Sequence, residues 1–319
     1  MLTGHQLENI LTAVTEYLPL RDNIEITLEA NPGEIDRERL SDYRSLGVNR
    51  ISLGLQSFDN AQLERLGRLH RQENNIPSVE MGRKAGFDNI NVDLIFHLPE
   101  QSFADFAGDL TRMLALETEH ISIYSLTVEK GTPLFQYIRD GRIQMTSDDL
   151  DAEMYRHLCM ELSAAGFDHY EVSNFGKPGF HSQHNSKYWN GSHYFGYGPS
   201  AHSYDGQRRW WNVRDLSEYF YLLQEGESPV ADREMIVPDI RQNDFFLTRL
   251  RTWHGVVFRE WRDLFGEPFP SSVYDYFRDV QNEHPGWIEM NDRRLRLTEE
   301  GWLFNDYILS QCVDNLKAA

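Results

Sequence analysis

"RISLGLQS" (residues 50–57) alternates with period two, setting Ile51, Leu53 and Leu55 on one face and Ser52, Gly54 and Gln56 on the other. Two further stretches repeat the pattern. In "IEITLEANP" (24–32), Ile24, Ile26 and Leu28 oppose Glu25, Thr27 and Glu29; in "NINVDLIFHLP" (89–99), Val92, Leu94 and Phe96 oppose Asn91, Asp93 and Ile95. Between them lie helical segments: "DRERLSDYRSLG" (36–47), stopped by Gly47, one around 60–67 and one around 74–85, ended by Gly86. A helix over 102–117 then leads to a fourth strand, "HISIYSLTVE" (120–129). Strands separated by helices imply right-handed parallel βαβ units. A strand covered by helices on both faces should be almost wholly apolar. One polar face on consecutive strands, ending in Glu29, Gln56 and Asp93, instead fits a partial barrel whose lumen is lined for a polar ligand near its carboxyl mouth. The competing arrangement is an open sheet with these side chains in solvent or capping helices.

Composition narrows the class. A chain of 319 residues with 40% apolar side chains can build about two packed domains. Its apolar runs fall far short of the roughly 20 residues of a membrane span, and the N-terminus shows no export signal, so a soluble, cytoplasmic protein is expected. The net charge of −19 disfavours nucleic acid and anionic membrane surfaces as partners. The two cysteines, Cys159 and Cys312, are too few for a disulfide framework or a thiolate-held cluster.

Past residue 148 the strand–helix alternation ends, so residues 1–148 are assigned to the barrel. A connecting α+β region follows over 149–232, then a C-terminal module over 233–319. The module closes with "GWIEMNDRRLRLTEEGW" (286–302), two short strands around Asn291 and Asp292, with Thr298 placed to cap the last helix. Helices followed by such a hairpin suggest a winged-helix-like module. Its Arg293, Arg294 and Arg296 leave open a nucleic-acid-binding role, against which stands a simply solvated hairpin. The connecting region holds "HSQHNSKYWNGSHYFGYGPSAHSY" (181–204), four of the twelve histidines among aromatic side chains. Zinc would favour tighter spacings with carboxylate backing. A porphyrin would want aromatic walls and one or two axial imidazoles, while buried His and Tyr can also simply satisfy each other.

"LEANPGEID", "GVNRISLGLQSFDNAQLERLGRLH", "NVDLIFHLPEQ" and "HNSKYWNGSHYFGYGPSAHSY", in this order, resemble the HemW branch of the radical S-adenosylmethionine (SAM) superfamily, the coproporphyrinogen III oxidase-like heme chaperones. The resemblance runs from Leu2 to the final helix. It implies an α/β fold in which a partial (β/α) barrel holds SAM at its carboxyl mouth, with Glu29, Gln56, Arg68 and Asp93 at the SAM-contacting positions. His97 stands where the family usually has glycine. The family's opening segment, with its CxxxCxxC loop for a 4Fe-4S cluster, has no counterpart: "LTGHQLENIL" matches the helix that follows it. The chain is therefore expected to start about 60–80 residues late, lacking the first two barrel strands and the cluster ligands, with residues 24–30 as an open sheet edge. Without three thiolates, this chain alone is not expected to cleave SAM.

"HNSKYW" (184–189) matches the HNxxYW signature of the branch. The resemblance thus implies heme as ligand, His184 as first candidate for the axial contact to iron, Tyr188 and Trp189 as walls, and His202 as second candidate. The implied function is heme delivery to apo-proteins, expected in the respiratory chain, with any membrane association arising through those recipients. The alternative within the superfamily is an oxygen-independent coproporphyrinogen III dehydrogenase.

Overall fold

In a computed structural model of the chain, which describes residues 2–317, the stretches at 50–57 and 89–99 form neighbouring parallel strands. The described residues fall into two units that divide between His181 and Ser182. The first begins with α1 (Gly4–Tyr17), β1 (Thr27–Ala30), α2 (Arg37–Ser45), β2 (Arg50–Gln56), α3 (Asn60–Arg65) and α4 (Asn75–Lys84). It continues through β3 (Ile90–Phe96), α5 (Phe103–Leu114), β4 (His120–Ser125), α6 (Pro133–Arg139), α7 (Asp148–Ala164), β5 (Asp168–Glu171) and β6 (Asn174–Gly176). These strands form one mixed sheet in the order β1-β2-β3-β4-β6-β5, parallel through β4 and antiparallel beyond.

Side-chain caps explain where the helices begin. Thr3, Asp36, Asp59 and Ser102 accept backbone N–H bonds from the first turns of α1, α2, α3 and α5 at 2.6–3.2 Å. Gly47 and Gly86 follow α2 and α4 at positive φ. The apolar strand face, Ile51, Leu53, Leu55, Val92, Leu94, Ile121 and Ile123, is buried with Leu40, Tyr43, Val79, Phe106, Leu110 and Met113 of the helices. At Gly82 a Cβ would come within 2.7 Å of the Ile51 side chain, so glycine permits α4 to lie close on the sheet. Helix α7, assigned from sequence to the connecting region, packs against α5 in the first unit.

Strand β1 starts three residues later than the alternation at 24–32 suggests. The Asn49 side chain takes over there: its amide donates to the Ile24 carbonyl at 2.7 Å and accepts from the Ile26 N–H at 2.9 Å. Within the sheet β1 is an edge, paired with β2, as expected for residues 24–30.

The second unit contains α8 (Gln183–Trp189), β7 (His202–Tyr204), β8 (Arg208–Asn212), α9 (Leu216–Gln224), β9 (Val230–Met235) and α10 (Pro238–Arg249). Then follow β10 (Val256–Val257), α11 (Phe258–Phe265), α12 (Ser271–Glu283), β11 (Ile288–Met290), β12 (Arg294–Leu297), α13 (Glu299–Trp302) and α14 (Asn305–Lys317). One antiparallel sheet runs β7-β8-β9 and another β10-β12-β11. The latter, with its helices, is the winged-helix-like module. Its core is aromatic: Trp261, fully buried, has ring centroids 4.2–5.7 Å from Phe245, Phe246, Phe265 and Phe269. The hairpin turn is held by Asn291, whose Oδ1 accepts from the N–H groups of Arg293 and Arg294; Thr298 caps the short α13, which precedes the final helix α14, instead of that helix itself. Among the described residues no helix is long and apolar enough to cross a membrane.

Candidate functional site

The polar residues Arg50, Ser52 and Gln56 of β2, Asn91 of β3 and His120 and Ser122 of β4 are buried together, whereas Glu29 of β1 is exposed. Cα register places Glu29, Ser52, Asn91 and His120 in one row across β1–β4, and Asp93 beside Ser122 in the next. Arg50, Ser52, Asn91, His120 and Ser122 are all 7% exposed or less, so these side chains do not face solvent. Hydrogen bonds join them. The Asn91 amide donates to Ser52 Oγ at 2.7 Å and to Asp93 Oδ1 at 2.6 Å, while its Oδ1 accepts from Ser122 Oγ at 3.1 Å. His120 Nδ1 lies 2.5 Å from the same Oδ1, and His120 Nε2 lies 2.7 Å from the Tyr170 hydroxyl. With Asn91 oriented this way, His120 donates through Nδ1 and accepts at Nε2.

Electrostatics follow from that burial. Burial holds His120 well below its ordinary value, assisted by the charges of Arg50 and His181, so the imidazole is neutral. Asp93 is pushed up to about 6, first by desolvation and then by the nearby Glu29 charge; Asn91, Ser122 and Arg50 oppose the rise. Burial also raises the Tyr124 phenol, and the Asp93 charge adds to this. On the far wall, buried Glu171 accepts from the Asn174 amide. His181 closes the network: its ring stacks on Tyr170 at 4.5 Å and its Nε2 lies 3.0 Å from Asp168 Oδ2.

The other two residues at SAM positions lie near the ends of β1 and β2. Gln56 ends β2 at φ 66°, beyond a register shift, with its amide folded back toward Gly54. A Cβ on Gly54 would fall 2.9 Å from Gln56 Nε2 and 3.5 Å from Asn31 Oδ1, so glycine leaves the room both use. Arg68 Nη1 reaches the same Asn31 oxygen at 3.5 Å. The turn beyond β2 is fixed by buried Asp109, which accepts from Ser57 Oγ at 2.9 Å and from the Phe58 N–H at 3.1 Å. Thus Glu29 and Asp93 share the strand rows, and Gln56 and Arg68 flank the carboxyl ends of β1 and β2.

His97 takes the left-handed conformation that its usual glycine would favour, at φ 57°, and Glu100 does so at 60°. Side chains hold both turns. His97 Nε2 lies 3.2 Å from the Thr146 carbonyl and its Nδ1 3.5 Å from Asp151, while Glu100 pairs with Arg65 at 2.5 Å.

In the second unit, Ser182 caps α8 by accepting from the Asn185 N–H at 3.2 Å, which places His184 and Tyr188 one turn apart. His184 is exposed and meets Tyr188 edge-on at 5.0 Å; Tyr188 meets Tyr194 at 4.7 Å, and Tyr194 bridges to Tyr204. Tyr188 and Trp189 line a cavity of about 320 Å³ whose other walls include Tyr194, Tyr204, Phe245 and Phe265. Arg249 holds α8 in place, donating to the carbonyls of Trp189 and Asn190 and pairing with Glu260 at 2.5 Å. His202 belongs to β7, where it stacks on Trp211 at 5.7 Å. His193 sits edge-on to Tyr204.

Comparison with known proteins adds a family. The radical SAM superfamily model matches residues 4–113. The heme chaperone HemW of Bacillus subtilis (strain 168) is 32% identical over 316 residues, spanning 99% of this chain and 83% of that protein. The chain belongs to the HemW family. HemW of Lactococcus lactis is 35% identical, over 95% of the chain and 79% of that protein. The solved coproporphyrinogen III oxidase HemN of Escherichia coli, a radical SAM enzyme, superposes with a TM-score of 0.81 over 98% of this chain and 75% of that one. At 20% identity that likeness shows the shared α/β fold. SAM and a 4Fe-4S cluster are the cofactors of the superfamily to which HemW proteins belong.

Several members of the strand network were not singled out from sequence. His120, Ser122 and Tyr124 carry the same period-two signal between Ile121 and Ile123. Tyr170 and Asp168 have no such signal, because their partners His120 and His181 come from other elements.

Proposed function

We propose that this protein binds heme through its second unit and passes it to apo-proteins, respiratory-chain proteins foremost, while the first unit holds SAM. The observation that carries the heme reading is the exposed imidazole of His184, one helical turn from Tyr188 on the helix whose Tyr188 and Trp189 wall an aromatic cavity. An iron porphyrin needs an imidazole donor beside flat apolar surfaces. His202, also exposed, is the second candidate for the iron.

The strand network suits SAM. Glu29 and Asp93 supply carboxylates for ribose hydroxyls or an ammonium group, Gln56 an amide, and Arg68 a guanidinium for the ligand's carboxylate. The cluster does not fit these 319 residues: it needs three thiolates, and Cys159 and Cys312 are each buried in a different unit. SAM is accordingly proposed as a bound ligand, without cleavage by this polypeptide alone.

Hemin titration followed in the Soret region tests the reading. Saturable binding by the protein, with a shifted band and weakened affinity in His184→Ala, is expected. An identical spectrum and affinity in the variant would remove His184 as the axial contact, and no saturable binding in the parent protein would end the heme assignment.

A further inference from the structure

The aromatic cavity of the second unit also carries charge, and the charges are unequally matched. Three guanidiniums line it, Arg209, Arg241 and Arg249, with two carboxylates, Asp244 and Glu260. Arg209 is fully engaged, bonding Asp244 at 2.6 Å and Glu234 at 3.3 Å. Arg249 is buried against Glu260 and the carbonyls of Trp189 and Asn190. Arg241 is different: it is exposed, and among the described residues its guanidinium makes no ion pair. It stands on α10 three and four residues before Asp244 and Phe245, hence on the same helix face and at the same cavity.

An unengaged guanidinium at the rim of an aromatic-walled cavity is the arrangement that recognises a flat ligand bearing a carboxylate. The cavity of about 320 Å³ is open, so it suits one edge of a large planar molecule better than the whole. We propose that it receives the propionate-bearing edge of heme, with Arg241 holding a propionate while Tyr188, Trp189 and Phe245 pack against the macrocycle. This inference rests on the heme reading and adds to it the orientation of the ligand. The paired carboxylates around Arg209 and Arg249 are already neutralised, so they do not repel the incoming acid.

The test compares hemin with hemin dimethyl ester, which lacks free carboxylates, and with metal-free protoporphyrin IX, which keeps them without iron. All are titrated in the same detergent-containing buffer. Arg241→Ala should weaken hemin and protoporphyrin IX binding by about tenfold, the usual worth of one charge-assisted hydrogen bond, and leave the ester unchanged. Arg241→Lys should recover most of the loss, since an ammonium still attracts the carboxylate. Among the described residues Arg241 has no ion-pair partner to abandon, and an unchanged thermal transition will show that the variants fold. Equal hemin affinity in Arg241→Ala and the parent, or an equal loss for the ester, overturns the assignment of the propionates to this cavity while leaving heme binding itself intact. If the parent protein fails to bind hemin saturably, the heme reading fails and this one with it.

Discussion

Asp93→Asn is the substitution whose outcome the strand network fixes most closely. Desolvation lifts the carboxyl from 3.8 in the unfolded chain to about 6, a shift of roughly two pH units, or ~3 kcal/mol between the two protonation states. Asp93 is not fully buried, so ~3 kcal/mol is an upper bound. Because folding raises this pKa, the stabilisation from the protonated form is complete below about pH 4 and is lost as pH climbs through about 6. Asparagine has almost the same shape, can accept from the Asn91 amide as the carboxylate does, and has no charge to desolvate. Asp93→Asn should therefore be more stable than the parent at pH 7.5, by up to about 3 kcal/mol, with the advantage shrinking toward pH 4. Urea unfolding across that range, followed by far-UV circular dichroism, measures it. A stability difference between the two proteins that is flat from pH 4 to 7.5 would refute the claim that a buried, strained charge sits in the lumen.

Other outcomes follow from single contacts. Arg249→Met leaves Glu260 and the carbonyls of Trp189 and Asn190 without this donor and should cost about 2–4 kcal/mol, lowering the second unit's melting transition by tryptophan fluorescence. His97→Gly relieves a left-handed residue but loses the bond to Thr146, so its net effect should stay within about 1 kcal/mol. His97→Ala loses the bond and keeps the strain, and should be less stable than His97→Gly by about 1 kcal/mol in urea titrations.

Much of the barrel was legible because its information is periodic. Ser52, Asn91 and Asp93 lie every second residue among fully buried Leu53, Val92 and Leu94, and burial of both sets separates a lumen from a solvent face. Helix ends were equally readable at Gly47 and Gly86, which act through their own backbones, whereas Thr298 caps the short α13 and not the final helix expected of it. What escaped depends on distance along the chain. The His120–Tyr170 bond spans 50 residues, and Asp168, the partner of His181, lies 13 residues before it on β5. No local pattern marks such pairs. The three-stranded sheet of β7, β8 and β9 was missed for a related reason: its short strands carry His202, Trp210 and Arg233 on pairings that only the folded register reveals.

The order of charges along the lumen has a consequence of its own. Arg50 opens β2, Glu29 stands level with Ser52 one pleat farther on, and Asp93 follows toward the carboxyl end. Arg50 lies at the amino end of its strand and the two carboxylates lie farther along, and Arg50 and Glu29 already pull the Asp93 proton in opposite directions. A zwitterion approaching the carboxyl end would meet Glu29 and Asp93 on the strand rows with Arg68 beside them, its ammonium settling by the carboxylates and its own carboxylate by the guanidinium.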